Sequence, residues 1–242
     1  MGRHALSALP GDMRVLIGYD IAEHSAAMVA ARSLRDVTDG ELNAEFLDVD
    51  KLVSQGLLWR PVDRRGQRYD LISGAPASTD FAASRFLTPI ICQTGFALFV
   101  DCDVVFMQDP RDMLREAVTG KAVYVVKHDH QPTERLKMVN QEQTSYPRKN
   151  WSSVMLFDCD HPANRRLSLH DVSSRPGRDL HAFYWLNDSE TGMLGAKWNW
   201  LVDVEPRPPQ IGIAHMTLGG PWLPGWTGGE FDAEWHVASG RM

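Results

Sequence analysis

Cysteine is scarce in this chain of 242 residues: there are three, at positions 92, 102 and 159, and no two form a C-x-x-C pair. That spacing argues against a zinc ribbon and against a dithiol redox pair. The flanks are apolar (Pro89-Ile90-Ile91 before Cys92, Val154 to Phe157 before Cys159), which suits buried thiols in a reducing compartment. Long hydrophobic runs are also missing, so no segment reads as a transmembrane helix. The first thirteen residues lack the apolar core of a signal peptide. Positive charge is in deficit, with 25 lysines and arginines against 31 acids and a formal net charge of -6. Duplex nucleic acid is therefore a poor partner, although Arg60, Arg64, Arg65 and Arg68 make one local basic group. No internal repeat or low-complexity tract occurs. The expectation is a soluble, cytoplasmic protein, with room for a peripheral position at a membrane.

What is present reads as one α/β domain over 14–242 behind a loose leader, 1–13, that ends at Pro10-Gly11-Asp12. Arg14 to Tyr19 (RVLIGY) has the length and β-branched content of a strand. Ala22 to Leu34 follows as an alanine-rich helix, and Glu45 to Val49 as a second strand. Strand, helix, strand is the signature of a parallel sheet, because parallel strands need a crossover. Asp63 to Ser78 is polar and reads as a surface excursion. A helical pattern resumes near Thr79 and is interrupted by Pro89. Ala97 to Val100 is an apolar strand that stops at Asp101, and Val104 to Phe106 continues beyond it. Asp109-Pro110 starts a helix, with an acid at the cap and proline at the first helical position. Ala122 to Val126 and Val154 to Phe157 are further strands. From about 205 the chain turns rich in proline, glycine and tryptophan and reads as an ordered loop wrapping the domain.

The chemistry centres on Ala97-Leu98-Phe99-Val100-Asp101-Cys102-Asp103. Residues two apart on a strand point the same way, so both carboxylates can meet at the C-terminal edge of the sheet, where open α/β sheets bind ligands. Two carboxylates suit a hard divalent cation such as Mg²⁺ or Mn²⁺. A bare Asp-x-Asp is also ordinary turn chemistry. Asp109 is better read as a helix cap than as a ligand.

The stretch Ser78-Thr79-Asp80-Phe81, Ser84-Arg85-Phe86-Leu87-Thr88-Pro89 and Gly95 to Asp103 resembles the DxD region of GT-A fold glycosyltransferases. It is closest to bacterial relatives of family 8, the retaining group that includes glycogenin and lipopolysaccharide galactosyltransferases. The resemblance implies an α/β, Rossmann-like fold of nucleotide-diphospho-sugar transferases, with a mixed, mostly parallel central sheet flanked by helices. It implies Asp101 and Asp103 as metal ligands and Arg85 as a contact to the nucleotide or diphosphate. His215-Met216-Thr217-Leu218-Gly219-Gly220-Pro221-Trp222 is similar to the family's H-x-T-G…K-P-W motif. That similarity makes His215 the third metal ligand and the amides around Gly219 and Gly220 diphosphate contacts. The family's lysine is Gly220 here, so its charge must come from elsewhere, from Arg85 or Lys127.

Asn150-Trp151-Ser152 resembles the start of the family's strand that lines the sugar pocket, which makes Asn150 and Ser152 sugar contacts. Asp188-Ser189-Glu190 resembles the D-Q signature with serine in place of glutamine, which makes Asp188 or Glu190 the group that touches the sugar or steadies its developing charge. Tyr19 and Asp20 match the loop that brackets base and ribose. The activity so implied is metal-dependent transfer of a sugar, of hexosyl type, from a nucleotide-diphosphate sugar such as a UDP-sugar to an acceptor hydroxyl, with retention. The acceptor is a glycan, a lipid-linked sugar or another hydroxyl. Two alternatives stand beside it: a catalytically impaired nucleotide-sugar-binding protein, favoured by the changed lysine and glutamine, and a sugar-phosphate nucleotidyltransferase, disfavoured because Gly18 to Ala22 holds no glycine-rich phosphate cradle.

Overall fold

In a computed structural model that describes residues 13–117, 120–128, 136–137, 141–142 and 151–240, the opening apolar run is strand β1, Arg14–Tyr19. Asp20 stops it and caps a short 3-10 turn by accepting from the Ala22 amide. Helix α1, His24–Val37, follows and buries Ala26, Ala27, Val29, Ala30, Ser33 and Leu34, a stripe at helical spacing. It ends where Asp39 and Gly40 take positive φ of 51° and 78°. Strand β2 is Ala44–Asp48 and the short helix α2 is Val49–Ser54. The polar excursion carries three two-residue strands, β3 (Val62–Asp63), β4 (Tyr69–Asp70) and β5 (Ala75–Pro76), paired antiparallel.

The helix expected from Thr79 is instead two 3-10 turns, Asp80–Ala82 and Ser84–Leu87, and then α3, Thr88–Cys92. Pro89 lies in the first turn of α3, where its missing N–H costs nothing, so it opens a helix and does not break one. Strand β6 is Phe96–Val100, β7 is Val104–Phe106, and β8 is Val123–Val125. The Asp109 carboxylate accepts from the Arg111 amide at the head of the 3-10 helix Pro110–Arg115, as a cap should. A backbone pair, β9 (Leu136–Lys137) with β10 (Gln141–Glu142), precedes β11, Val154–Asp158. Next come α4, Leu169–Ser174, and α5, Gly177–His181. The rest is β12 (Thr191–Met193), β13 (Trp200–Leu201), β14 (Ile213–His215) and α6 (Asp232–Ser239). The tail from 205 is thus not loop throughout: it holds a strand and a helix, and α6 packs on α1, with Arg32 donating to the Ser239 carbonyl at 3.1 Å.

The main sheet has the order β12-β8-β11-β6-β1-β2. β1 is parallel to β2 and β6, β12 is parallel to β8, and β11 runs against both its neighbours. The fold is α/β with a mixed, mainly parallel sheet. A second sheet, β13-β14-β7, pairs His215 opposite Val104. β7 sits between two apolar clusters, with Val104 and Phe106 in the main core and Val105 in a smaller one beneath α1 and α6. Met13, placed at the end of the leader, is buried in the main core; residues 1–12 lie outside the described residues. Cys92, Cys102 and Cys159 are free and buried. Among the described residues no helix is long and apolar enough to cross a membrane.

Candidate active site

Asp101 and Asp103 follow the last residue of β6, at the C-terminal edge of the main sheet. The Asp101 amide donates to the Ser153 carbonyl at 2.9 Å, which ties the turn to the start of β11. The chain then enters β7, and the antiparallel β14 returns His215 to the same place. The Met216 amide donating to the Asp103 carbonyl at 2.9 Å closes that pairing. One ligand atom each from Asp101, Asp103 and His215 lies within 4.8 Å of the others, and all three residues are buried.

The donor set fits a divalent cation. His215 Nδ1 is 2.9 Å from Asn199 Oδ1, and an amide oxygen can only accept, so Nδ1 carries a proton, which is the tautomer whose Nε2 can ligate a metal. That Nε2 lies 3.2 Å from Asp103 Oδ1 and makes no aligned hydrogen bond. A cation bound between them would be held by this nitrogen and by the carboxylate together. Ligands bound at ~2.1 Å lie at most ~4.2 Å apart, so closing the triad asks only for a small contraction. Two carboxylate oxygens and one imidazole nitrogen suit Mn²⁺ or Mg²⁺ and leave positions for phosphate oxygens. The field at this edge is negative. Burial pushes the Cys102 thiol well above its usual range, helped by Glu23, Asp103, Asp101 and Asp20 around it.

Arg85 is 5% exposed, so it is not a surface arginine. Its NH1 holds Asp101 Oδ1 at 2.9 Å and the Ser152 carbonyl at 2.8 Å, and its guanidinium lies 5.2 Å from the ring centroids of Phe81 and Phe99. Its charge orients Asp101. Ser152 is buried and its hydroxyl meets His181 Nδ1 at 2.7 Å. Burial holds the His181 ring well below its usual pKa, with Arg85 and Arg60 adding to the effect, so it stays neutral. Lys127 is exposed, two residues past the end of β8 at the same edge, with its ammonium 5.3 Å from the Trp151 ring centroid.

Tyr19 and Asp20 lie at this edge too, at the end of β1. The Tyr19 hydroxyl meets His24 Nδ1 at 2.9 Å, and its ring packs edge-on to Phe46. The Asp20 carboxylate is 1% exposed and is engaged by Arg68 at 2.6 Å and by the amides of Ala22 and Asp80 at 3.0 and 3.2 Å. It holds its own loop together, so it is not an open acceptor for a ribose or base. A cavity of about 290 Å³ opens near this loop, with Val49, Val53, Leu58, Arg64, Asp80 and His181 in its wall.

Gly219 follows β14 with φ of +119°, a conformation that favours glycine. A Cβ on Gly220 would meet the Trp222 ring at 2.1 Å, so with Trp222 in this position the site has no room for a side chain at 220. Asn150 lies outside the described residues. Asp188 and Glu190 do not join the site, which corrects their reading as catalytic groups. They precede β12, and β12 runs in the direction of β6, so its N-terminal end is at the opposite edge of the sheet. Asp188 is exposed. Glu190 accepts from the Asn187 amide and pairs with Arg166, which together hold its carboxyl below the usual range.

Three further polar residues belong to the site. Asn199 is fully buried behind His215, Thr217 carries a buried hydroxyl with no hydrogen-bond partner among the described residues, and His181 touches Ser152. A polar residue inside the apolar run Trp198-Asn199-Trp200-Leu201 was the available signal, since buried amides have a reason to be there.

No family model matches the chain. It is 37% identical over 229 residues to Protein CDI of Arabidopsis thaliana, covering 92% of this chain and 84% of that protein. Among solved structures it is similar to the WbbM bifunctional glycosyltransferase (10% identity, TM-score 0.57, 96% of this chain and 52% of that one). It is similar to the apo-form glycosyltransferase GlyE of Streptococcus pneumoniae TIGR4 (14%, 0.56, 94% and 60%). It is also similar to the galactosyltransferase LgtC, solved with donor and acceptor sugar analogues (14%, 0.56, 95% and 96%). The chain therefore spans about half of WbbM, 60% of GlyE and almost all of LgtC. These likenesses show a GT-A glycosyltransferase fold.

Proposed function

The chain belongs to the family of the Arabidopsis thaliana Protein CDI, and from that premise and the GT-A fold we propose that it is a glycosyltransferase. It transfers a hexosyl group from a nucleotide-diphosphate sugar, a UDP-sugar in the first instance, to an acceptor hydroxyl on a glycan, a lipid-linked sugar or another carrier. The observation that carries this reading is the buried triad Asp101, Asp103 and His215 at the C-terminal edge of the sheet.

The triad would hold Mn²⁺ or Mg²⁺, and a bound cation would neutralise charge on the diphosphate as the glycosidic bond breaks. Arg85 fixes the orientation of Asp101. The Thr217 hydroxyl, buried and without a hydrogen-bond partner among the described residues, would donate to a phosphate oxygen, whereas the Gly219 amide is already given to the Met216 carbonyl at 2.8 Å. Lys127 takes the place of the missing lysine at 220, because Arg85 is already committed to Asp101 and the Ser152 carbonyl. The cavity near Arg64 and Asp80 suits the nucleoside. Retention with same-face attack on the anomeric carbon belongs to the same proposal.

Incubation with a panel of UDP-sugars and Mn²⁺ tests the reading. Free UDP should appear, with transfer once a suitable acceptor is supplied, and Asp103→Asn should lower the rate by at least a hundredfold. Binding of donor with no turnover under any divalent metal would overturn catalysis and favour a nucleotide-sugar-binding protein.

A further inference from the structure

Behind His215 runs a chain of polar groups that the metal-site reading does not use. Glu205 Oε1 is 2.8 Å from His128 Nδ1. His128 Nε2 is 2.9 Å from Asn199 Nδ2, and the same nitrogen donates to Ser153 Oγ at 2.9 Å. Asn199 Oδ1 is 2.9 Å from His215 Nδ1. The His128 side chain is 2% exposed, Asn199 is fully buried, and the chain reaches water at the Glu205 carboxylate, which is 28% exposed.

The order of donors along this chain is read from the Asn199 amide, whose Nδ2 faces His128 Nε2 and Ser153 Oγ and whose Oδ1 faces His215 Nδ1. A carboxylate only accepts, so His128 donates from Nδ1 to Glu205, and with Asn199 Nδ2 facing it, His128 Nε2 is the acceptor. That acceptor takes an N–H of Asn199, and Ser153 takes the other. The amide is thereby held with its oxygen toward His215, whose Nδ1 must carry the proton. The ring is left with its lone pair at Nε2, on the side of Asp101 and Asp103. With the Asn199 amide turned over, His215 Nδ1 would accept and Nε2 would carry a hydrogen pointed into the triad. No cation can be bound by that tautomer.

We propose that Glu205, acting through His128 and Asn199, is a positioning residue that selects the ligand tautomer of His215. The proposal rests on the reading that the triad holds a divalent cation. It links the proline-rich tail to the metal site. Glu205 is itself anchored by its amide on the Leu201 carbonyl at 2.9 Å and by Trp200 Nε1 donating to its carbonyl at 3.0 Å. Partners of metal-bound histidines commonly contribute 10–100-fold to metal affinity.

Two measurements on the full chain separate the proposal from the reading beneath it. Long-range ¹H–¹⁵N spectra of the histidine-labelled, metal-free protein report the tautomer of His215, and calorimetric titration with Mn²⁺ alone reports affinity. In the unchanged protein His215 should carry its proton at Nδ1. Glu205→Ala, at a partly exposed position, should mix the tautomers and weaken Mn²⁺ by about tenfold or more. Glu205→Gln keeps an acceptor oxygen and should stay within about threefold of the unchanged protein, which a role through charge alone would not allow. An unaltered tautomer and affinity in Glu205→Ala, or equal losses in Ala and Gln, would overturn the proposal while the metal site stands. Failure of the unchanged protein to bind Mn²⁺ would overturn the metal-site reading and the proposal with it, whatever the tautomer.

Discussion

At Arg85 and Lys127 the same charge has opposite surroundings, and this sorts their roles. The Arg85 guanidinium is enclosed between Phe81 and Phe99 and bonded to Asp101 and the Ser152 carbonyl. A buried arginine whose one terminal nitrogen is held between a carboxylate and a backbone carbonyl acts on its partners' geometry. Lys127 is exposed at the same edge, with its ammonium over the Trp151 ring and no carboxylate in contact with it among the described residues. Lys127→Ala is therefore expected to lower kcat by about tenfold to a hundredfold and to change KM much less. Steady-state kinetics on a UDP-sugar check this, and an unchanged kcat would assign the phosphate charge elsewhere. At Gly220 the Trp222 ring fills the space that a side chain would need.

Strand direction decides which acids can take part. Asp101 and Asp103 follow the C-terminal end of β6, whereas Asp188 and Glu190 precede the N-terminal end of β12. Since β12 and β6 run the same way, the two pairs lie at opposite edges of one sheet. Asp188→Asn should accordingly leave sugar-transfer activity within about twofold of the unchanged protein, as expected of a surface position. A large loss of kcat would mean that this edge takes part after all. The pairing of β14 with β7 acts in the other direction: it carries His215 from the distant tail to the side of Asp103. The tripeptide Ile213-Ala214-His215 follows a proline-rich stretch and is too short to announce itself as a strand. Its partner strand, β7, creates it.

For the molecule as a whole, a site built from β6, the β7 turn and the tail would link the proposed cation binding to global stability. Residues on separate parts of the chain meet only in the folded state, so a ligand they share stabilises that state alone. At a free Mn²⁺ concentration of 100 Kd the gain is about 2.7 kcal/mol, a rise in Tm of roughly 5 to 10 °C for a chain of this size. Thermal unfolding with and without Mn²⁺ measures it. Asp103→Asn should abolish the shift, and an equal shift in that variant would place the cation elsewhere.

By itself, the sequence determined what local pattern can encode. The apolar runs that became β1, β6, β8 and β11 were readable because burial on both faces leaves continuous hydrophobic stretches. The Asp109 cap and the paired aspartates after Val100 were readable because they follow directly from a strand or precede a proline. His215 was readable because its glycine-rich neighbourhood resembles a known motif. The tertiary structure alone decided what depends on distance and direction in space: that Arg85 points inward to Asp101, that Asp20 is taken up by its own loop, that Asp188 and Glu190 face the wrong edge, and that Glu205, His128 and Asn199 line up behind His215. Hydrogen bonds between residues far apart in the chain leave no periodic trace in it, and a carboxylate reads the same whichever edge of the sheet it occupies.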